Sequence, residues 1–101
     1  MADWIYKIVS EREWRDAEAT GVYNGSADDR RDGFIHLSSA AQREGTLRRH
    51  FAGRGDLLCV AVDADGLDVR WEPSRDGQLF PHLYGSLPLS AVREVRKYDP
   101  S

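Results

Sequence analysis

Asp56-Leu57-Leu58-Cys59-Val60-Ala61-Val62-Asp63 holds the longest apolar run in the chain. A run of this length without polar alternation predicts a strand covered on both faces, and therefore a central one with sheet neighbours on either side. Upstream of it, Ser39 with Gln42 three positions later forms a capping signature, Leu47 and Phe51 share a face at i, i+4, and Gly53 can end the element. This predicts a helix there, weakened by about 1 kcal/mol through Gly45. Phe34-Ile35-His36-Leu37-Ser38 precedes it as a short strand. Tyr23 to Gly33 carries turn residues and a dense charge run with no apolar period, which predicts an exposed loop able to act as a lid. Before that loop, Ser10 and Glu13 form a capping box, Trp14 and Ala17 give one apolar face, and Gly21 closes a helix over Glu11 to Thr20. Trp4 to Val9 is rich in β-branched and aromatic residues and predicts the first strand.

Downstream, Asp63-Ala64-Asp65-Gly66 turns the chain and Val69-Arg70-Trp71-Glu72 alternates as a strand with one polar face. Asp76-Gly77 is a second turn. Phe80 to Tyr84 is extended because Pro81 disfavours helix at Phe80. A helical turn is expected near Pro88 to Val92, and a last strand over Glu94 to Tyr98. Two helices in the N-terminal half followed by a strand-rich half predict an α+β fold, a single small domain spanning residues 1–101 with a split or bent, mainly antiparallel sheet.

The chain has 101 residues, 41% hydrophobic and 31% charged. That suffices for one compact core and leaves no room for large insertions. The formal net charge of -3 supplies no field for nucleic acid or anionic lipid, so any anion site must be local. The single cysteine, Cys59, falls inside the central apolar run and reads as core. The N-terminus shows no basic segment followed by an apolar one, and no run is long enough to span a bilayer, so a soluble cytoplasmic protein is expected.

The candidate chemistry is concentrated in two stretches. His36 shares one strand face with Phe34 and Ser38, and His82 shares one with Phe80 and Tyr84. Brought together, two imidazoles, a phenol and a serine hydroxyl would line one partly dry surface. Glu72 and Arg75 lie three apart beside Trp71 and Pro73. Arginine's planar fork suits a phosphate or carboxylate, against the alternative of a surface ion pair. Lys7, mid-strand between Tyr6 and Ile8, must reach water or meet an anion if its strand is interior, and on an edge strand is a routine guard against aggregation. Zinc is poorly supported, with no His-x-His and no second cysteine. Gly-x-Ser-x-Gly, P-loop and dinucleotide glycine motifs are absent.

Taken in order, Ile5-Tyr6-Lys7-Ile8, Trp14, Tyr23-x-Gly25-Ser26, Asp32 to Ser38, Gln42, Thr46, Phe51, Trp71-Glu72-x-Ser74-Arg75-x-Gly77 and Phe80 to Gly85 resemble the domain of unknown function 952 family of small bacterial proteins. That family is in turn similar to the ADP-ribosyltransferase superfamily, whose split sheet binds NAD in the cleft between two small sheets. Those enzymes carry His or Arg on the first cleft strand, a hydroxyl or aromatic on the second and Glu on a later one. Here Lys7 stands on the first strand, His36 and Ser38 on the second, and Glu72 is the late carboxylate, flanked by Arg75, so the usual triad is not matched. The resemblance implies transferase or NAD glycohydrolase chemistry with NAD as cofactor, in which Glu72 and His36 are catalytic: Glu72 orients the attacking hydroxyl, while His36 and Ser38 hold the nicotinamide ribose. The residues themselves leave open a non-catalytic pocket of Tyr6, His36, Trp71, Phe80, His82 and Tyr84, with Lys7 and Arg75 holding a small anionic or nucleotide-like ligand. A flat protein-interaction patch is the third reading.

Overall fold

The computed structural model describes residues 4–74 and 77–98. Strand β4 (Leu57–Asp63) is central, as its apolar run predicts, pairing antiparallel with β1 (Trp4–Ser10) on one side and β8 (Val92–Lys97) on the other. Six of its seven residues are buried. A second sheet runs β3 (Ile35–His36), β6 (Leu79–Leu83), β5 (Val69–Pro73), all antiparallel. A two-residue ladder joins β2 (Val22–Tyr23) to β7 (Leu87–Pro88), with one 3-10 turn, Leu89–Ala91, leading into β8.

The two larger sheets meet along one short seam. After pairing with β6, the chain continues from β3 so that Leu37 N donates to Pro81 O, and Tyr6 and Ser38 then exchange backbone hydrogen bonds, each 2.8 Å. Residues 35–38 therefore run from the β3 edge of the second sheet, paired with β6, to the β1 edge of the first, and the sheet splits where they diverge. This is the mainly antiparallel α+β domain that the sequence predicts.

Helix α1 (Glu11–Thr20) matches its predicted bounds, with the Ser10 hydroxyl accepting from Glu13 N and Trp14 and Ala17 buried. The expected exposed loop needs correction, because Ala27–Asp32 is a short helix, α2. Ser26 and Asp29 form a reciprocal capping box at its start, and Gly33, at φ 87, terminates it in the left-handed region. The next helix, α3 (Arg43–His50), begins later than its capping signature predicts. Ser39 and Gln42 do bond reciprocally, but they close the turn that precedes the helix. Among the described residues there are thus three α-helices where two were expected.

The main core packs Trp14 and Ala17 of α1, Ile5 and Val9 of β1, Val60 and Val62 of β4, and Ile35, Leu37, Leu83 and Leu87. A smaller cluster of Ile8, Leu47 and Leu57 seats α3 against the far side of the β1–β4 ladder. The polar side of the β3–β6–β5 sheet and the N-terminal end of α2 are left facing each other across the seam.

Candidate functional site

The register of the second sheet sets the site. His36 pairs directly with His82, Arg70 also stands opposite His82, and Glu72 stands opposite Phe80, so all five share one face. The ring centroids of His36 and His82 are 5.7 Å apart. Phe34 stacks on His82 at 4.0 Å and 22° and touches His36 at 4.7 Å. The sequence pattern that placed both imidazoles beside aromatic residues is realised as one continuous surface.

Each imidazole has its own carboxylate. His36 Nδ1 lies 2.6 Å from Asp29 Oδ1, and its Nε2 lies 3.0 Å from Asp32 Oδ2. His82 Nδ1 lies 2.8 Å from Glu72 Oε1, and the Tyr84 hydroxyl donates to that same oxygen at 2.7 Å. The Arg70 guanidinium covers the Tyr84 ring at 4.4 Å. Hydrogen bonds from His82 and then Tyr84 hold the Glu72 carboxyl below its ordinary value, and the same bond pushes the Tyr84 phenol up.

Asp29 is the residue that sequence reasoning missed. It is 2% exposed and accepts four hydrogen bonds: Ser26 N and Lys7 Nζ on Oδ2, His36 N and Nδ1 on Oδ1. Burial alone would push its carboxyl up, but the His36 hydrogen bond and the Lys7 charge outweigh it and hold the group well below the usual carboxylate range. Gly25, at φ 100, makes room for it: a Cβ there would come within 2.8 Å of Asp29 Cβ. The legible signal was Ser26-x-x-Asp29 followed by Gly33, a capping box with aspartate in place of the usual glutamate.

Lys7 is buried and meets an anion although β1 is an edge strand, with Nζ 2.8 Å from Asp29 Oδ2 and donating to His36 O at 3.1 Å. Its charge is committed inside the protein. Ser38 is also engaged, its hydroxyl 2.8 Å from that of Thr46 on α3. Arg43 of α3 covers the Tyr6 ring at 4.4 Å.

A cavity of about 260 Å³ opens on the seam, bordered by Tyr6, Lys7, His36, Ser38, Phe80 and His82 among the expected residues. Its polar border also includes Ser26, Asp28, Asp29, Arg31, Asp32, Thr46, His50 and Ser74. Glu72 and Tyr84 stand behind His82 and do not line it. Trp71 points to the other face of β5, 49% exposed and outside the lining, so it joins no pocket. Arg75 lies outside the described residues. His36 and His82 belong to adjacent strands of one sheet and not to opposing walls; the facing wall is β1 with α2. A second cavity of about 440 Å³ shares Lys7, Ile8, Ser26, Asp28, His50 and Phe51 with the first. Among the described residues, no group of three or more His, Cys, Asp or Glu is arranged to hold a metal ion, and no helix is long and apolar enough to cross a membrane.

Residues 8–95 match the model of the family described as Protein of unknown function (DUF952). The chain belongs to the DUF952 family. Its fold is similar to the crystal structure of protein CC0527 from Caulobacter crescentus, 46% identical, with a TM-score of 0.91 over 95% of this chain and 86% of that one. The solution structure of the same protein, also 46% identical, gives 0.86 over 95% of this chain and 84% of that one. No curated protein matches this DUF952 chain.

Proposed function

We propose that the cleft at the seam binds a nucleotide-like small molecule, in the manner of an ADP-ribosyltransferase-like split sheet, with NAD as the first ligand to test. The observation that carries this reading is the cavity's position: it lies where residues 35–38 join the two half-sheets, and it is bordered by two imidazoles, the Tyr6 and Phe80 rings and the Ser38 and Thr46 hydroxyls. Flat rings suit a base and hydroxyls suit a ribose. The 260 Å³ volume lies just below the roughly 300–1,000 Å³ of typical ligand pockets and takes a nucleoside moiety, while the adjoining cavity has room for the rest of a longer molecule. In this reading His36 and Ser38 contact the ribose, and Glu72 acts through His82.

The test is a thermal shift with NAD, nucleosides and mononucleotides, together with nicotinamide release, repeated on His36→Ala and Arg75→Ala. Ligand-dependent stabilisation that is lost in His36→Ala is the expected result. No stabilisation by any of these ligands at millimolar concentration overturns the reading. A purely binding role is favoured by one observation: Lys7 and Glu72 are both committed to partners within the protein. Glu72→Ala separates the two roles, since in a binding module it leaves ligand affinity unchanged and there is no turnover to lose.

A further inference from the structure

We infer that His82 and His36 form a base and acid couple for cleaving the N-glycosidic bond of a neutral nucleoside, an inference that rests on the nucleotide-cleft reading and narrows its substrate. It stands on an asymmetry between the two imidazoles. His82 is 5% exposed, borders the cavity and has one carboxylate, at Nδ1. Because a carboxylate only accepts, Nδ1 carries a proton; in the neutral ring Nε2 then keeps its lone pair, and Nε2 has no hydrogen-bond partner among the described residues. His36 has a carboxylate at each nitrogen, and an imidazole placed so donates at both. Its Asp29 contact is buried, whereas Asp32 at Nε2 is one-third exposed on the cavity rim, so the Nε2 proton is the one that can be given up.

The charges on the cavity border point to the substrate. Three carboxylates, Asp28, Asp29 and Asp32, face two permanent cations, Lys7 and Arg31. A pyrophosphate, where the ligand carries one, has to sit away from this border, toward Arg30 and Arg54 of the adjoining cavity. The border itself suits a ribosyl group that becomes positive as its glycosidic bond breaks, because after His36 has passed on its proton, and before His82 takes one from water, it is left net negative around that cation.

The step balances without a further reactant. A water oxygen bonds to C1′ of the ribose and its proton moves to His82 Nε2. The C1′–N bond breaks, its electron pair goes to the base nitrogen, and that nitrogen takes the Nε2 proton of His36. Ribose and free base leave, and the proton returns from His82 to His36 through solvent. Nicotinamide leaves NAD as a neutral molecule and needs no acid, so a positioned donor at His36 selects for bases that do.

The experiment measures base release from inosine, nitrophenol release from p-nitrophenyl β-D-ribofuranoside and nicotinamide release from NAD, for wild type, His82→Asn and His36→Asn. Wild type is expected to cleave both ribosides. His82→Asn should slow both about a hundredfold or more. His36→Asn should slow inosine at least tenfold more than the nitrophenyl riboside, whose leaving group needs no proton. Since His82 is buried, Glu72→Gln is the second probe of the base: it keeps the Oε1 acceptor, removes the charge, and should lower kcat about tenfold with KM unchanged. Failure to cleave either riboside, or equal losses on both substrates in His36→Asn, overturns the inference. Cleavage of NAD alone overturns it while leaving the nucleotide cleft intact, and absence of binding by every ligand removes both.

Discussion

The two histidine–carboxylate pairs of the cleft are built from the same groups and differ in where the charge is buried. In Asp29–His36 the carboxylate is the buried partner, 2% exposed, and Lys7 neutralises it from β1. In Glu72–His82 the imidazole is buried and the carboxylate is about one-third exposed, supported by a neutral phenol. Low dielectric raises both the strength of a completed ion pair and the cost of an incomplete one. The first pair therefore ties β1, α2 and β3 together across the seam and is costly to break, while the second can lose its charge cheaply. Stability is expected to depend on the first pair far more than on the second, although an imidazole of each pair borders the cavity.

The hardest test of that contrast is to remove one partner of the buried pair. Asp29→Asn leaves Lys7 charged and uncompensated in the interior, which is expected to cost about 3–5 kcal/mol. For a domain of this size that lowers Tm by more than about 10 °C in a calorimetric scan. Lys7→Met should cost a similar amount, and the double substitution less than the sum, because it removes both buried charges together. Additive losses would show that the ion pair is not the unit of stability.

Acid sharpens the same comparison without mutation. The folded Asp29 carboxyl lies below its unfolded value, so its contribution is complete above the ordinary aspartate value near 4, about 3.9, and is lost progressively as pH falls from there toward the folded value. Urea unfolding of the wild type should lose stability steeply between about pH 4.5 and 2.5, and Asp29→Asn should flatten that slope. Glu72 shifts in the same direction, through His82 and Tyr84, but from a far more exposed position. Glu72→Gln should therefore retain most of the acid sensitivity. Equal flattening by both variants would erase the distinction between the pairs.

How much of this was legible in the sequence follows from the range of the interactions. The central strand, α1 and the shared face of Phe80, His82 and Tyr84 were readable because each depends on local periodicity or a local cap. The juxtaposition of His36 with His82 was not, since it depends on a register between strands 46 residues apart in the chain. The short helix α2 was read as loop because Ala27-Asp28-Asp29-Arg30-Arg31-Asp32 has no apolar period. Its stability comes from the Ser26–Asp29 box and from burying one charged side chain against Lys7, which no hydrophobicity pattern records. Lys7 in mid-strand was the visible half of that arrangement. Ser26→Ala is the corresponding test of intermediate size: loss of the cap should cost about 1 kcal/mol and loosen Asp29, so hydrogen exchange should rise at Asp29 and His36 before it rises in β4.

The smallest expected effect is the most discriminating one. Tyr84→Phe removes a single donor from Glu72 Oε1 and leaves the His82 bond in place. The tyrosine lies at the end of β6, its ring still covered by Arg70, and no core residue packs through its hydroxyl. Its Tm should stay within about 3 °C of wild type, as for a substitution away from buried features. The lost bond nonetheless frees the carboxylate to rotate, so the His82 ring is held less firmly and the Glu72 carboxyl rises toward its ordinary value. Nitrogen NMR of the imidazole should then show the Nδ1 proton of His82 exchanging faster with solvent, while the His36 signals, held by Asp29 from the opposite side, stay where they were. If both histidines respond together, the two pairs are one network and the distinction between a buried-carboxylate pair and a buried-imidazole pair fails.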